Sequence, residues 1–231
     1  MTAPIGLVSV DEVIARHGEI LDRIASRGVA PESIEIVAVT KSFPSELIAV
    51  AVAAGFRQLG ENYPQELAAK AASIELAAKV AGSKESTVQW HAIGQLQRNK
   101  VKLIAPYVAL WQTIDRQSLV ATVAQHAPGA SVLVQINVTA DDRRGGCRLS
   151  EVDELVEVCR SAQLDVRGLM TVGPVDAEAG GASEFRAVRA AADRLGLSIC
   201  SMGMSDDLEI AVSEGATMIR IGSALFGERH Y

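Results

Sequence analysis

The sequence predicts an α/β protein folded as a single (β/α)8 TIM barrel with an extra N-terminal helix. Strand-like and helix-like segments alternate along the chain, and eight strand-like runs can be counted. Such alternation implies parallel strands, because each crossover returns the chain to the same end of the sheet. The G-x-G-x-x-G fingerprint of an open dinucleotide-binding sheet is absent. We therefore expect a closed barrel, with residues 1–231 forming one domain.

The pattern of apolar residues predicts each helix and strand along the chain. The first is an amphipathic helix over 9–27, in which apolar residues recur at helical spacing. The apolar or β-branched runs predicted as strands are 34–40, 58–62, 88–94, 108–115, 131–137, 165–172, 197–203 and 218–222. The helices predicted between them are 45–54, 65–78, 98–105, 117–125, 150–161, 183–195 and 206–214. Segments 81–87 and 141–148 read as longer surface loops.

Composition and charge exclude several classes of protein. The chain is 48% hydrophobic with only 4% aromatic residues, which suits parallel strands buried under helices. A net charge of -6 argues against a nucleic-acid partner. The chain has three cysteines, Cys147, Cys159 and Cys200, an odd number without a CxxC spacing. We therefore expect neither structural disulfides nor a zinc site, which fits a protein of the reducing cytosol. No signal peptide or membrane-spanning apolar run is predicted.

A barrel places its functional residues at the carboxyl ends of its strands. In the stretch IVAVTKSFP, Lys41 lies at the end of the first strand. One interpretation is an ordinary solvated lysine. The other is a reactive amine, because burial or a nearby cation lowers the pKa of a lysine and leaves its neutral amine able to form a Schiff base with a carbonyl group. Other polar residues at predicted strand ends are Asn62, Asn137, Thr171, Ser201 and Arg220, and the third predicted strand carries His91.

The loops after the last two strands, SMGMSDD and RIGSALFG, are candidates for holding phosphate. Barrels commonly bind phosphate there, which makes Ser201, Gly222 and Ser223 candidate phosphate ligands. Ordinary turns between strand and helix would use the same residue types. The segment 205–207, Ser-Asp-Asp, is interpreted as helix-capping residues. A phosphate site together with Lys41 predicts a phosphorylated aldehyde or ketone as ligand.

Five motifs together resemble a known family. VAVTKSFP, LGENYPQE, WHAIGQLQRNK, GLMTVGP and SMGMSDDLEIAVSEGATMIRIGSALFGERHY are similar to segments of the pyridoxal phosphate homeostasis proteins, which share the barrel of the alanine racemase N-terminal domain. The motifs occur in order from residue 34 to the last residue, Tyr231. The resemblance implies that Lys41 forms an internal aldimine with pyridoxal 5'-phosphate.

The same resemblance implies roles for further residues. Arg220 would face the pyridine nitrogen, where a guanidinium disfavours ring protonation and makes the ring a weak electron sink. The residues implied to hold the phosphate are Ser201, Gly222 and Ser223. The residues implied to line the pocket or pack on the cofactor are Asn62, His91, Met170 and Met202.

Two positions depart from the family pattern. Ala92 follows His91 where a bulky aromatic residue is usual, which removes packing behind the third strand. The segment 142–147 replaces a Lys-x-Gly version of the loop after strand five. Arg144 is the candidate to keep the positive charge there, and a solvated loop is the alternative.

Related racemases use a second domain, which supplies a tyrosine base facing the lysine. This sequence continues for only nine residues after Gly222, so no such domain is expected. The leading hypothesis is a non-catalytic, cytoplasmic and monomeric protein that stores, shields or delivers pyridoxal phosphate to apo-enzymes, with no membrane partner. The alternatives are a pyridoxal phosphate-dependent racemase or other enzyme of low activity, and a cofactor-free Schiff-base aldolase acting on a sugar phosphate.

Overall fold

The described strands close into one parallel barrel. The computed structural model describes residues 7–80, 88–139, 144–174 and 181–228. Within these residues the strands follow one another in sequence order around the barrel, and the first also pairs with the last. They are β1 (Glu35–Val39), β2 (Gln58–Glu61), β3 (Gln89–Ala92), β4 (Val108–Ile114), β5 (Ser131–Ile136), β6 (Asp165–Thr171), β7 (Ile199–Ser201) and β8 (Met218–Ile221). The predicted (β/α)8 fold is confirmed, and each observed strand lies inside its predicted range.

Helices cover the outside of the barrel. They are α1 (Val10–Ala25), α2 (Glu46–Ala53), α3 (Pro64–Val80), α4 (Arg98–Ile104), α5 (Gln117–His126), α6 (Val152–Ser161), α7 (Ala182–Arg194), α8 (Leu208–Ser213) and α9 (Ser223–Phe226). The sequence prediction missed α9, because four residues are too few to show helical periodicity. Among the described residues, no helix combines the length and the apolar character needed to cross a membrane.

Three segments discussed above fall wholly or partly outside the described residues. The predicted loop over 81–87 is one, and residues 141–143 of the predicted loop over 141–148 are another. The third comprises residues 229–231 at the carboxyl end of the chain.

The predicted N-terminal helix is present as α1 and packs beside the shortest helix of the barrel. It begins with a capping box, in which the Glu12 amide donates to Ser9 Oγ at 3.2 Å and the Ser9 amide donates to Glu12 Oε2 at 2.8 Å. The helix contacts α2, α8 and α9. The buried residues of α1, Val13, Ile20 and Ile24, join the apolar layer outside the barrel.

Two groups of apolar residues stabilise the barrel. The larger lies between the strands and the helices, as expected for a sheet that is covered by helices. The smaller fills part of the barrel interior and consists of Val37, Leu110, Leu133, Met170 and Met218. The rest of the interior is polar, and that polar part leads up to the candidate site.

The described cysteines are free and buried. Burial raises the pKa of the thiol to about 12 in Cys147 and Cys159, and to about 11 in Cys200. These thiols therefore stay protonated at neutral pH, and the nucleophilic thiolate form is disfavoured.

Candidate cofactor-binding site

A cavity of about 400 Å³ opens at the carboxyl ends of the strands. This volume lies within the range of small-molecule pockets. Its lining residues are Val39, Lys41, Asn62, Ile93, Val172, Met204, Ser205, Asp206, Arg220, Gly222 and Ser223. Five of the nine residues predicted from the sequence are thus brought together, namely Lys41, Asn62, Arg220, Gly222 and Ser223.

Lys41 lies at the rim of this cavity, two residues beyond the end of β1. Its backbone forms a turn that is closed by the Phe43 amide, which donates to the Thr40 carbonyl oxygen at 3.2 Å. The next residue, Ser42, has a φ of +62°, in the left-handed region that residues other than glycine rarely adopt. The side chain of Lys41 is partly exposed. The turn therefore places Lys41 at the mouth of the barrel.

Arg220 forms the buried wall of the cavity. Its Nη1 donates to the carbonyl oxygen of Ser201 at 2.8 Å and to Ser201 Oγ at 2.7 Å, and its Nη2 donates to the Thr171 carbonyl oxygen at 2.7 Å. Burial lowers the pKa of Arg220 to about 10, while the Asp207 carboxylate opposes that shift. The guanidinium stays charged at neutral pH. Arginine has five N–H donors, so two remain for a ligand.

A chain of hydrogen bonds runs from Arg220 down into the barrel. Ser201 Oγ donates to Gln112 Oε1, Gln112 Nε2 donates to His91 Nδ1, and His91 Nε2 donates to Gln58 Oε1, each at 2.7 Å. Arginine cannot accept a hydrogen bond, so every donor in this chain points away from it. Burial lowers the pKa of His91 to about 4, which keeps the imidazole neutral. His91 and Ser201 therefore lie beneath the cavity and do not line it.

The two predicted methionines are also buried away from the cavity lining. Met170 is fully buried in the barrel interior, and Met202 is fully buried in the layer between strands and helices. Contacts of His91, Ser201, Met170 and Met202 with a cofactor stay predictions. Ala92 is buried, and two hydrogen bonds fix the orientation of the neighbouring His91 ring.

The loop after β7 contributes three lining residues, two of which, Ser205 and Asp206, are predicted from the sequence to be helix caps. Met204, Ser205 and Asp206 all line the cavity. Ser205 Oγ accepts a hydrogen bond from the Ala224 amide at 3.4 Å, so it lies over the first turn of α9. Adjacent strands bring their loops together, and the predicted pairing of strands seven and eight was the signal that could have identified Ser205.

The helix-cap prediction is confirmed for the position of Asp207 but not for its carboxylate. Asp207 occupies the N-cap position of α8, but its side chain makes no capping hydrogen bond to that helix. Its Oδ1 instead accepts from the Met204 amide at 2.5 Å, and burial raises the pKa of the carboxyl group. This carboxylate fixes the loop after β7 from below.

Arg144 braces the neighbouring loops. Its Nη1 donates to the carbonyl oxygen of Gly173 at 2.6 Å, which joins the segment after β5 to the segment after β6. Arg144 does not line the cavity. Its positive charge lies between the loops that surround the mouth of the barrel.

A second cavity, of about 540 Å³, lies at the opposite end of the barrel. It is lined by the first residues of β1 and β2 and by part of α1, including His17, Glu35 and Arg57. The described residues that line it include no lysine, so this cavity lacks the amine that the sequence predicts for the site.

Known proteins similar to this chain match most of its length. The sequence profile of the alanine racemase N-terminal domain matches residues 21–230. The pyridoxal phosphate homeostasis protein of Escherichia coli (strain K12) is 34% identical over 239 residues, which cover 96% of this chain and 99% of that protein. The protein of the same name from Pseudomonas aeruginosa (strain PAO1) is 36% identical, and the match covers 96% of this chain and 95% of that protein.

A solved structure supports the same relationship. PipY of Synechococcus elongatus PCC7942, determined with PLP bound, superposes with a TM-score of 0.72 at 31% sequence identity. The match covers 90% of this chain and 100% of that chain.

Proposed function

The chain belongs to the family of pyridoxal phosphate homeostasis proteins, within the alanine racemase N-terminal domain family, and on that premise we propose that it binds pyridoxal 5'-phosphate reversibly at Lys41. Binding would serve to store, shield or deliver the cofactor and so to buffer its level in the cell. The observation that carries the proposal is the meeting of Lys41, Arg220 and the Gly222–Ser223 turn in one cavity.

The residues present fit the three functional groups of this cofactor. The aldehyde needs an amine, the phosphate needs hydroxyl and amide donors beside small residues, and the pyridine nitrogen needs a donor or a carboxylate. When bound, the cofactor would supply an aldehyde group, and Lys41 would supply the amine that can react with it. The cavity of about 400 Å³ is large enough for a single small ligand of this kind.

Each side chain has a separate task in this proposal. Lys41 supplies the amine from the rim, and the hydroxyl of Ser223 and the backbone of Gly222 approach the phosphate. Ser205, 3.3 Å from the Ser223 hydroxyl, adds a second hydroxyl on that side. Arg220 is held by three hydrogen bonds and offers a fixed cation with its remaining N–H donors. Because a guanidinium rarely gives up a proton, it favours an unprotonated ring nitrogen and a weak electron sink.

The composition of the cavity supports a non-catalytic role. Two-base racemisation needs a second proton acceptor that faces the lysine. The described residues that line the cavity include no tyrosine, histidine or cysteine. Asp206 is the one carboxylate among them, which keeps a slow racemase as the second candidate function.

The remaining parts of the proposal concern the setting of the protein. We propose that residues 1–231 act as one domain, as a monomer in the cytosol, and that apo-enzymes are the recipients of the cofactor. The buried free thiols are consistent with a reducing compartment.

The test is a titration of the purified protein with pyridoxal phosphate, followed by visible absorbance. A yellow band should appear in the wild type and be lost in Lys41→Ala. Lys102→Ala is the matched control, because Lys102 is an exposed lysine on α4, and its band should equal that of the wild type. Absence of a band in the wild type, or an equal band in Lys41→Ala, would contradict the proposal.

Two further measurements separate the alternatives. Exchange of the α-proton of amino acids in deuterated water at ordinary enzymatic rates, abolished in Asp206→Asn, would establish the racemase. A sugar phosphate that borohydride traps on Lys41 in cofactor-free protein would establish the aldolase. Neither result is expected.

A further inference from the structure

A buried ammonium group lies directly beneath the turn that carries Lys41. Lys70, on α3, has an exposed fraction of only 3%. Its Nζ donates to the Thr40 carbonyl oxygen at 2.8 Å, to Glu61 Oε1 at 2.6 Å and to Glu66 Oε2 at 3.2 Å. An ammonium group has three donors, so all of them are used.

The partners of Lys70 form a compact cluster with it. Glu61 is 1% exposed, and its Oε1 also accepts from Thr40 Oγ1 at 2.7 Å. Burial raises the pKa of Glu61, and the charge of Lys70 opposes this shift. Its other oxygen, Oε2, has no hydrogen-bond partner within the described part of the chain. Buried charges are costly to desolvate, and they seldom make a protein more stable than apolar residues would. This cluster therefore points to a role other than overall stability, namely in holding the local backbone.

The cluster holds the backbone on both sides of Lys41. Before it, the Thr40 carbonyl oxygen accepts from Lys70 Nζ as well as from the amide that closes the turn. After it, the Ser42 amide donates to Glu66 Oε2 at 2.9 Å. Ser42 adopts the left-handed φ of +62°, which costs free energy for any residue with a Cβ atom. The bond to Glu66 compensates for that strain.

We propose that Lys70, Glu61 and Glu66 are positioning residues for Lys41. They hold the turn of residues 40–43 in the conformation that directs the Lys41 amine over the cavity. None of the three lines that cavity, so each acts through the backbone of the turn. The inference rests on the proposed function only in taking Lys41 as the lysine that reacts with the cofactor.

The first measurement uses cofactor-free protein. Lys70→Met removes the charge and its three hydrogen bonds but keeps an unbranched side chain. We expect amide hydrogen exchange at Ser42 to accelerate at least about tenfold, since hydrogen bonds to charged groups are worth more than neutral ones. Leu67→Ala is the matched control, because it truncates a buried side chain on the same helix and leaves the cluster intact.

A second pair of variants covers the case in which Lys70→Met fails to fold. The side chain of Glu66 is 35% exposed, so its replacement should be tolerated. Glu66→Ala removes the acceptor of the Ser42 amide and should accelerate its exchange, whereas Glu66→Gln keeps an acceptor and should restore slow exchange.

The second measurement is the rate at which the absorbance band appears after pyridoxal phosphate is added. It should fall about tenfold in Lys70→Met and stay close to the wild-type rate in Leu67→Ala. A wild type without a band would refute the proposed function, while the exchange result would still test the cluster. If exchange at Ser42 is no faster in Lys70→Met and Glu66→Ala than in Leu67→Ala, the cluster does not position the turn and the inference is overturned.

Discussion

At the residue scale, Lys41 and Lys70 illustrate how surroundings decide the role of a lysine. Lys41 is partly exposed at the rim of a cavity that also contains Arg220, a fixed cation. Lys70 is buried and has every donor bound to an acceptor, so its ammonium is held in place. The first is the lysine for which we propose a reaction with a carbonyl group, whereas the second is held by its three acceptors.

His91 is the residue whose surroundings have the clearest effect on pH dependence. It is 2% exposed, and it accepts at Nδ1 and donates at Nε2, which uses both nitrogens of the neutral ring. Protonation would place a second donor against the amide of Gln112. The imidazole therefore belongs to the hydrogen-bond chain beneath the cavity as a neutral group.

We expect His91 to make the protein less stable in mild acid. Burial lowers the pKa of His91 from 6.5 to about 4, so between these values the unfolded chain binds the proton and the folded chain does not. Stability from this group is full above the unfolded pKa and is lost as pH falls toward the folded pKa. Between pH 7 and pH 5 the loss should be about 2 kcal/mol.

The measurement is urea unfolding of the wild type and of His91→Gln across this pH range. Carboxyl groups titrate equally in both proteins, so the difference between the two curves reports His91. If the two free energies of unfolding change in parallel with pH, the imidazole does not titrate as described.

At the element scale, α1 is connected to the loop that lines the cavity. Arg23 on α1 donates through Nε to Glu209 Oε1 at 2.6 Å and through Nη2 to Glu209 Oε2 at 2.8 Å. The same Nη2 donates to the carbonyl oxygen of Ser205 at 2.8 Å. The helix that precedes the barrel in sequence thus holds the backbone of a loop that lines the cavity, on the side where we propose that the phosphate binds.

Arg23→Met should weaken binding on that side of the cavity. The variant loses a bidentate ion pair and a hydrogen bond to the loop, and we expect the free energy of unfolding to fall by about 1 kcal/mol. The affinity for pyridoxal phosphate should fall several-fold, because the Ser205 loop is less ordered. Both are measurable by thermal unfolding and by absorbance titration.

Arg186→Met is the control for this prediction. Arg186 on α7 forms a similar bidentate pair with Glu214 and has no hydrogen bond to the Ser205 loop. Its affinity for the cofactor should equal that of the wild type. Equal losses of affinity in the two variants would show that α1 has no specific connection to the site.

At the scale of the whole molecule, closure of the barrel builds the site from both ends of the sequence. β1 pairs with β8, and Val37 lies opposite Arg220 in that register. Lys41 therefore faces residues that lie about 180 positions later in the sequence. A ligand that contacts both ends of the closed barrel binds the folded state and has no comparable site in the unfolded chain.

The cofactor should therefore raise the thermal stability of the whole molecule. At a free concentration 100 times its dissociation constant, binding should add about 2.7 kcal/mol. For a domain of this size that corresponds to a rise in Tm of roughly 5 to 10 °C. Scanning calorimetry with and without pyridoxal phosphate checks this, and the rise should be smaller in Lys41→Ala at the same concentration. An unchanged Tm in the wild type would contradict specific binding to the folded barrel.

The fold and much of the cavity could be predicted because they follow local rules. Alternating apolar segments identify strands and helices, and the parallel barrel then places Lys41, Asn62 and Gly222 at one end. The resemblance of the motifs added the family, which the comparison with known proteins confirmed. Both the apolar pattern and the family motifs can be recognised within short stretches of sequence.

Only the tertiary structure decided how deep each side chain lies and which groups it contacts. His91 and Ser201 belong to predicted strands, and both side chains face the barrel interior, where hydrogen bonds to Gln112 hold them below the cavity. Two residues along a strand lie on the same face but differ in depth by about 7 Å, and the apolar pattern of the sequence does not reveal that depth. Ser205 joined the lining because the loops after β7 and β8 meet.

The sequence by itself determined the alternation of elements, the barrel and the strand-end lysine, since these follow from periodicity and turn chemistry within each segment. Only the tertiary structure revealed that Lys70 and Glu61 lie beneath the Lys41 turn, because the cluster forms where α3 packs against the ends of β1 and β2. A lysine in an alanine-rich helix shows no local sign of burial. Its role depends on distances between segments, which packing alone sets.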